Sequence, residues 1–343
     1  MIKSSIKALW KLCFTDSEAF TELYFQLRYR EERNLALWED GQPVAALQIL
    51  PYPMTFHREV VQTGYISGAC THPDYRNRGL MGHLLKEALQ KMHRDGNDFT
   101  TLIPAEPWLF EYYARFGYAP VFHQAEIAVE NQSITVNPDT TDEKLEVSDT
   151  YSEEVVCFLE EQYCRQYTCC LLHPAADLQV VFASLQLDQG RCFALRQHGQ
   201  LQAVALATPV ENTWRIEELL AVDERSKGCL LQRMNHALHP SSFTLLSSVS
   251  TPHGERLKPL GMARILQAHR VLTLHAQAHP ELTLHLALQD NQLPANIGYY
   301  HLHHGTCTFS HQPSAAHYQH YTIGELTEVL LLPEHPHMSL MLN

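Results

Sequence analysis

The same order of secondary-structure elements is predicted twice along this chain of 343 residues, with the two copies roughly 150 residues apart. In the first copy a hairpin, a strand, a helix and a strand are predicted at residues 34–50, 61–71, 79–94 and 99–103. In the second copy the same elements are predicted at residues 192–209, 214–222, 227–238 and 243–249. This repetition predicts a duplicated α+β fold.

Further helices are predicted on either side of the first copy. Apolar residues recur at helical spacing through residues 6–14 and 20–27, and residues 15–17 (TDS) offer N-caps for the second of these helices. Pro107 suits the first turn of a later helix, and Gly117 is expected to end that helix.

The last part of the chain differs in character from residue 269 onward. Alternating apolar and polar residues occupy 271–275, 282–288 and 298–303, and an apolar helical pattern follows at 321–332. The mostly polar stretch 131–144 is interpreted as a linker. We therefore expect three domains, at residues 1–130, 131–268 and 269–343.

Composition and charge argue against several classes of function. Apolar residues make up 45% of the chain and charged residues 18%, a balance typical of globular cores. The net charge of −13, counted with neutral histidines, repels nucleic acid and attracts small cations. Apolar runs such as 329–332 are far shorter than the ~20 residues that span a bilayer, and residues 1–7 lack a signal-peptide pattern. We expect a cytoplasmic protein without nucleic-acid or membrane partners, whose nine cysteines are buried and reduced.

The most informative local pattern is the passage from the predicted strand 61–71 into the helix that begins at Gly79. A proline-marked turn and the loop Arg76-Asn77-Arg78 lie between them. The first turn of a helix presents unpaired main-chain N–H groups and a partial positive charge, which together bind phosphate. Gly79 allows a close approach of the main chain, and the two arginines add positive charge. On these residues alone, a pyrophosphate site and an ordinary loop with solvated arginines are equally compatible.

A second pattern, residues 110–118 (FEYYARFGY), ends the next predicted helix. Together with the loop it resembles the GNAT superfamily of N-acetyltransferases. In that family an R-x-x-G-x-G/A loop holds the pyrophosphate of acetyl-CoA, a strand binds the pantetheine arm, and a tyrosine in a Y-x-R-x-G-F/Y context lies near the thioester sulfur. The resemblance implies that Tyr113 is catalytic. It also implies a cofactor site at Ala69, Cys70, Thr71, Arg76, Asn77, Arg78, Gly79, Leu80, Met81 and Gly82.

The resemblance extends over nearly the whole chain. Tandem GNAT folds followed by a sterol-carrier-like α+β domain look like the enhanced-intracellular-survival (Eis-like) branch of the superfamily. Met81 departs from the small residue of the loop pattern, but a larger aliphatic residue is common there in this branch. In the last domain the resemblance depends on element order and on residues 296–300. The branch implies a homo-oligomer, and it implies that the C-terminal carboxylate, here that of Asn343, is the general base.

Acetyl transfer to an amine requires two proton movements, which define the roles of these groups. The substrate ammonium must lose a proton before its nitrogen attacks, and the departing thiolate leaves more readily when it is protonated. The phenol of Tyr113, with an ordinary pKa near 10, suits the second task, although a purely packing role is the alternative. A main-chain N–H in residues 69–71 would stabilise negative charge on the acetyl oxygen.

The second copy lacks these groups. Its equivalent loop, residues 223–228 (DERSKG), begins with two carboxylates that would repel a pyrophosphate, and its closing segment, residues 253–262, contains no tyrosine. We interpret this copy as structural and expect it to bind no cofactor.

Residues 340–342 are apolar, whereas exposed termini are usually polar. We expect the tail to be docked, either in the active-site cleft with Asn343 at the substrate amine, or only against the carrier-like domain.

His301 and His303 share a face of a predicted strand, which permits two metal ligands. Since no cysteine or carboxylate obviously completes a set, we interpret the histidines as surface residues and expect no metal.

The sequence therefore predicts an acetyl-CoA-dependent N-acetyltransferase that acts on a primary amine of a small cationic compound or a lysine side chain. Two alternatives stay open. The first is an idle CoA-binding module, and the second is a lipid carrier, which would need a continuous apolar tunnel in residues 270–343.

Overall fold

The computed structural model describes residues 2–129, 143–248, 256–315 and 317–342. In these ranges the strands form a sheet of 12 strands and a separate sheet of 4 strands, so the fold is mixed α/β. No helix in these ranges is long and apolar enough to cross a membrane.

The first unit contains the elements that the sequence predicts, in the predicted order. They are α1 (Ile2–Cys13), α2 (Glu18–Leu23), β1 (Asn34–Glu39), β2 (Gln42–Phe56), β3 (Glu59–Thr71), α3 (Leu80–Arg94), β4 (Phe99–Leu102), α4 (Pro107–Ala114) and β5 (Ala119–Val129). Ser17 caps α2 by accepting a hydrogen bond from the main-chain N–H of Phe20 at 3.1 Å. Gly117 follows α4 with a φ of 82°, the left-handed conformation that ends many helices.

The second unit repeats this order and adds elements for which we found no sequence pattern. It comprises β6 (Glu143–Ser148), α5 (Glu153–Gln166), β7 (Cys170–Leu171), α6 (Ala175–Leu187), β8 (Arg191–Gln197), β9 (Gln200–Val210), β10 (Thr213–Ala221), α7 (Glu224–Leu238), β11 (Phe243–Ser247) and β12 (Lys258–Ile265). Helices α5 and α6 precede the β8–β9 hairpin as α1 and α2 precede β1–β2. Apolar residues surround α6 rather than forming one stripe, which removes the periodicity on which a helix prediction depends.

The final strands of the two units are exchanged. The order of the large sheet is β1-β2-β3-β4-β12-β5-β11-β10-β9-β8-β6, and β7 pairs with β2. Strand β12 pairs antiparallel with β4, where Met262 lies opposite Leu102. Strand β5 pairs antiparallel with β11, where Leu245 lies opposite Ile127. Each unit therefore completes the sheet of the other, and the predicted closing segment of the second unit lies next to the first.

The third unit consists of α8 (Ala268–Ala278), β13 (Leu284–Gln289), β14 (Gly298–His303), β15 (Thr306–Ser310), β16 (Gln319–Thr322) and α9 (Ile323–Leu331). Its sheet has the order β15-β14-β13-β16. The alternating segment 271–275 is helical within α8, because five residues are too few to separate a helix pattern from a strand pattern. Leu286 and Leu326 belong to the same core cluster as Tyr65 of β3, so this unit packs directly against the first. Its likeness to a sterol carrier stays a prediction.

The predicted domain bounds also stay a prediction. The bound at residue 130 and most of the predicted linker lie outside the described residues, and Glu143 and Lys144, the last residues of that linker, belong to β6.

All nine cysteines are free, as expected, but they are not uniformly buried. Cys157 and Cys164 are exposed, although we expected the cysteines of periodic apolar segments such as that around Cys157 to be inside. Both lie on α5, whose buried face is formed by other residues, including Val156 and Leu159.

Candidate active site

The C-terminal half of β3 has one open edge. Strand β3 pairs in parallel with β4 only from Thr63 to Tyr65. It continues to Thr71 while paired with β2 on its other side. Gly68 adopts a left-handed conformation, with a φ of 60°, where the register of the β2–β3 ladder shifts. Because alternate N–H groups of a strand point to opposite edges, residues 69–71 present main-chain donors to the gap between β3 and β4.

The N-terminus of α3 is open in the same region. Its N-cap is Gly79, with a φ of 76° and no side chain to accept a hydrogen bond. A Cβ atom at Gly79 would have nothing within 4 Å. The first main-chain hydrogen bond of the helix runs from the N–H of His83 to the C=O of Gly79 at 3.0 Å. The N–H groups of residues 80–82 therefore lack partners within the helix and point toward the open space.

The loop before α3 holds its two arginines at the rim of this opening. The Nε of Arg76 donates to the C=O of Thr71 at 3.3 Å. The Nη2 of Arg78 donates to the C=O of Asp74 at 3.1 Å, and its guanidinium lies 4.6 Å from the centre of the Tyr75 ring. Both arginines and Asn77 are exposed, so their charge and polarity face solvent beside the free N–H groups.

Met81 does not obstruct this opening. The side chains of Leu80 and Met81 pack against the core cluster under α3, which includes Leu84 and Leu85. Only the main chain of these residues faces the helix terminus, so a small side chain at Met81 is not required there.

Helix α4 packs on the first turn of α3. A Cβ atom built on Gly82 would lie 3.4 Å from Cζ of Phe116 and 3.8 Å from the hydroxyl of Tyr112. Tyr113 follows directly and is 7% exposed. Its ring centre lies 5.4 Å from that of Tyr112 and 6.0 Å from that of Tyr118. The structure therefore brings together two sequence motifs that the chain separates by a helix and a strand.

The environment of Tyr113 keeps its phenol protonated. Burial raises the pKa of Tyr113 well above its usual value, and the neighbouring Tyr112 adds to this rise. In the described parts of the chain no hydrogen bond holds the Tyr113 hydroxyl. The proton of this hydroxyl is thus present at neutral pH and is not committed to another side chain, which is what a proton donor needs.

In the second unit, the N-terminus of the equivalent helix, α7, is capped by a carboxylate side chain. Asp223 is the N-cap of α7, and its Oδ1 accepts a hydrogen bond from the main-chain N–H of Ser226 at 2.7 Å. This hydrogen bond lowers the pKa of Asp223. The position that an anion would take at α7 is therefore occupied, whereas Gly79 leaves it open at α3. Residues 253–255 of the closing segment lie outside the described residues.

A cavity of about 450 Å³ lies between the first and second units. Its wall contains carboxylates from four separate segments, namely Asp16, Glu126, Asp188 and Glu217. Arg215 balances Glu217 through a hydrogen bond from Nε at 2.8 Å. The other three have no lysine or arginine within ion-pair distance in the described ranges. The cavity is therefore negatively charged, which suits a cationic ligand.

The tail forms part of the wall of this cavity. The main-chain N–H of His337 donates to the C=O of Cys169 at 2.9 Å, and its C=O accepts from the N–H of Leu171 at 3.0 Å. Residues 338–342 line the cavity. Leu340 and Leu342 pack against the core of the second unit. Met338 and Met341 also pack in the core cluster that contains residues of the third unit. Asn343 lies outside the described residues, so both predicted positions of the tail and the role of Asn343 stay predictions.

Tyr113 is connected to this cavity through Tyr65 and Ile103. Ile103 lines the cavity, and its main chain forms a hydrogen bond with Tyr65. Burial raises the pKa of Tyr65, and Tyr113 is among the neighbouring groups that add to the rise. Tyr113 therefore lies between the N-terminus of α3, which contacts α4, and the residues that adjoin the acidic cavity.

Comparison with known proteins finds a match for the part of the chain that contains β3, α3 and α4. Residues 3–121, about a third of the chain, match the family described as an acetyltransferase (GNAT) domain. The matched range includes every predicted cofactor residue and Tyr113, and in the GNAT family the co-substrate is acetyl-CoA.

Solved structures support the fold over nearly the whole chain. A probable N-acyltransferase from Enterococcus faecalis V583 aligns with a TM-score of 0.78 at 16% identity, over 95% of this chain and 86% of that chain. Eis1 from Mycobacterium abscessus aligns with a TM-score of 0.76 at 13% identity, over 96% and 87%. A GCN5-related N-acetyltransferase from Anabaena variabilis aligns with a TM-score of 0.75 at 18% identity, over 95% and 86%. At these identities the likeness shows the fold alone. No curated protein matches the chain.

The sequence patterns did not predict the carboxylates that line the cavity, which we call the acidic wall, or the position of Tyr65 next to Tyr113. Asp188 follows α6, a helix without a clear periodic pattern, and Glu126 alternates with apolar residues along β5 like any solvent-facing strand residue. No local signal marks these carboxylates, because their convergence depends on the exchange of β5 and β12 between the GNAT unit and its copy. Tyr65 lies inside a strand that was predicted, but its burial beside Tyr113 has no signature in the sequence.

Replacing Gly79 by valine is expected to weaken acetyl-CoA binding at least about 10-fold, equivalent to about 1.4 kcal/mol. The new side chain would occupy the open space at the helix N-terminus and would disfavour the left-handed backbone by about 1–2 kcal/mol. Titration calorimetry measures the affinity. Gly199→Val is the matched control, since Gly199 also has a left-handed φ, of 81°, and nothing within 4 Å of a Cβ atom. Equal loss of affinity in both variants would show that the effect is one of folding.

Proposed function

We propose that this protein transfers the acetyl group of acetyl-CoA to a primary amine of a small cationic compound or of a lysine side chain. The observation that supports the proposal is the contact of Tyr112 and Phe116, the neighbours of Tyr113 in the sequence, with the open first turn of α3. The alternative in which the N-terminal domain binds CoA without turnover leaves the free, protonated hydroxyl of Tyr113 unexplained.

The residues present fit acetyl-CoA, which supplies an activated acetyl thioester when it is bound. The main-chain N–H groups of Leu80, Met81 and Gly82, with Arg76 and Arg78, would hold the pyrophosphate. The open edge of β3 at residues 69–71 would bind the pantetheine arm through main-chain hydrogen bonds. Tyr113 would hold the proton that the leaving sulfur requires.

The acidic cavity supports a cationic acceptor. Asp16, Glu126 and Asp188 would attract an ammonium group and orient it toward Tyr65 and Tyr113. Asp16 also accepts a hydrogen bond from Nε1 of Trp10 at 2.7 Å, which holds its side chain at the cavity wall. We include in the proposal the homo-oligomer, the cytoplasmic location and the absence of nucleic-acid and membrane partners that the sequence analysis predicts. The proposal also keeps the carboxylate of Asn343 as the general base.

A lipid-carrier function has less support. Leu286, Tyr300 and Leu302 of the small sheet are buried and pack with Ile323 and Leu326 of α9. These side chains occupy the space between sheet and helix that an apolar tunnel would need.

The test is a measurement of acetyl-CoA stoichiometry combined with CoA release against a panel of amines. We expect one acetyl-CoA site per chain, and release of CoA with at least one amine among aminoglycosides, polyamines and lysine peptides. Two equivalent sites per chain would contradict the assignment to the first unit. Binding without CoA release across the panel would favour the idle module.

Glu126→Gln tests whether the acidic cavity binds the acceptor amine. Removing one exposed charge from the cavity wall is expected to raise KM for a cationic amine by up to about 5-fold, the upper range of an exposed ion pair. The affinity for acetyl-CoA should be unchanged. Glu111→Gln, on α4 and away from the cavity wall, should change neither constant.

A further inference from the structure

Three histidines converge where the first unit contacts the third. His57, His275 and His279 each place one ring nitrogen within 4.8 Å of those of the other two. The Nε2 of His57 lies 3.0 Å from the Nδ1 of His275. The ring centres are 5.1 Å, 5.2 Å and 4.7 Å apart for the pairs 57–275, 57–279 and 275–279.

Two separate segments build this cluster. His275 lies in the last turn of α8, and His279 follows the helix as its C-cap, where its main-chain N–H donates to the C=O of His275 at 3.0 Å. His57 lies in the two-residue turn between β2 and β3. Both residues of this turn are left-handed, with φ of 50° for His57 and 68° for Arg58. Such turns favour Asn-Gly, so His57 and Arg58 adopt a backbone conformation that side chains of their size disfavour.

Each of the three histidines is partly buried, so an ion between them would be shielded from bulk solvent.

A carboxylate lies behind one of the three rings. The Oε1 of Glu334 is 3.5 Å from the Nδ1 of His57, on the opposite side of the ring from the Nε2 that faces His275. Carboxylates in this position orient a metal-bound histidine and select its tautomer. A proton on Nδ1, directed at Glu334, would leave the lone pair of Nε2 facing His275.

We propose that His57, His275 and His279 bind a divalent transition metal ion, and that Zn²⁺ is the ion that three imidazoles fit best. Zn–N bonds of about 2.0–2.1 Å place tetrahedral ligand atoms a little over 3 Å apart. The Nε2 of His57 and the Nδ1 of His275 are already near this spacing at 3.0 Å, and the ring nitrogen of His279, which lies within 4.8 Å of both, would have to move closer. Three protein ligands leave the fourth position for water. This proposal differs from the expectation that the protein binds no metal. That expectation was based on other histidines, including His301 and His303.

The metal would act on stability rather than on acetyl transfer. The turn at His57 lies just before the first residue of β3, whereas the predicted cofactor residues begin at the last residues of this strand. Because the 13 residues of β3 extend about 40 Å, the metal site lies far from the predicted acetyl-CoA site. A bound ion would connect the β2–β3 hairpin of the first unit to α8 of the third unit. We therefore expect it to raise the melting temperature and to leave kcat unchanged.

The test uses full-length protein without a histidine tag, stripped with EDTA and dialysed against metal-free buffer. Titration calorimetry with Zn²⁺ at pH 7.5 is expected to show one tight site per chain, and Co²⁺ is expected to give the visible absorption of a tetrahedral complex. His57→Asn, His275→Gln and His279→Gln should each weaken Zn²⁺ binding by at least about 10-fold. Asparagine tolerates the left-handed turn at residue 57.

A double variant, His301→Gln with His303→Gln, is the matched control. It removes two histidines of the same unit, whose stacked rings lie 5.5 Å apart on β14, and should keep the tight site. Absence of a tight site in the wild type would overturn the proposal. Wild-type affinity in His279→Gln would also overturn it, and this variant should fold because the side chain of His279 is 40% exposed.

Discussion

Replacing Tyr113 by phenylalanine is expected to lower kcat about 10²- to 10⁴-fold, the range of general acid catalysis. The affinity for acetyl-CoA should change little, because the substitution removes only a hydroxyl. The remaining ring still fills its buried position between Tyr112 and Tyr118, so the loss of stability should be small. Steady-state CoA release gives kcat, and titration calorimetry gives the affinity.

Tyr112→Phe is the matched control for this prediction. The hydroxyl of Tyr112 lies near Gly82 at the start of α3, on the same helix as Tyr113 but on a half-buried side chain. We expect kcat of this variant to stay near that of the wild type. If Tyr112→Phe lost activity while Tyr113→Phe kept it, Tyr112 would be the proton donor.

The pKa of Tyr113 adds a second measurement. Burial raises this pKa above the ordinary phenol value near 10, so the proton-donating form persists at all pH values below that range. Ionisation of Tyr113 should therefore cause no loss of kcat between pH 6 and about 10. Any loss of activity on the alkaline side in this interval must come from another group.

Extending the chain by a few residues beyond Asn343 is expected to lower kcat by about 10²- to 10⁴-fold, if the carboxylate of Asn343 is the general base. The described tail supports this expectation, because residues 338–342 line the acidic cavity and His337 is tied to the second unit by two main-chain hydrogen bonds. An extension would move the carboxylate away from the substrate amine. Acetyl-CoA affinity should be retained, since the cofactor residues belong to β3 and α3.

Two comparisons separate loss of the base from obstruction of the cavity. The same residues added before Met1 should leave kcat unchanged. A semisynthetic protein that ends in an Asn343 amide keeps the length of the chain and removes only the charge, so it should lose activity to a similar extent. Full activity of the extended protein would show that the carboxylate is not the base, and Glu106 or a water molecule would then be the better candidate.

The sequence by itself determined the elements of the first unit and its loop motif. These depend on local physical signals that act over a few residues. The apolar periodicity of α1 and α3, the N-cap Ser17, the proline at the start of α4 and the left-handed glycines at 79 and 117 each specify a boundary without reference to distant residues. The open helix terminus at Gly79 follows from the same local chemistry, which is why a phosphate site could be predicted there.

Only the tertiary structure decided which of these elements meet. The exchange of β5 and β12, the acidic wall from Asp16, Glu126 and Asp188, the path of the tail and the meeting of His57 with α8 all join segments far apart in the chain. A strand residue that faces a cavity has the same alternating pattern as one that faces solvent. The sequence around a histidine in a turn does not indicate which distant residues it contacts. Such contacts are selected by burial and packing of the whole chain, so no local pattern predicts them.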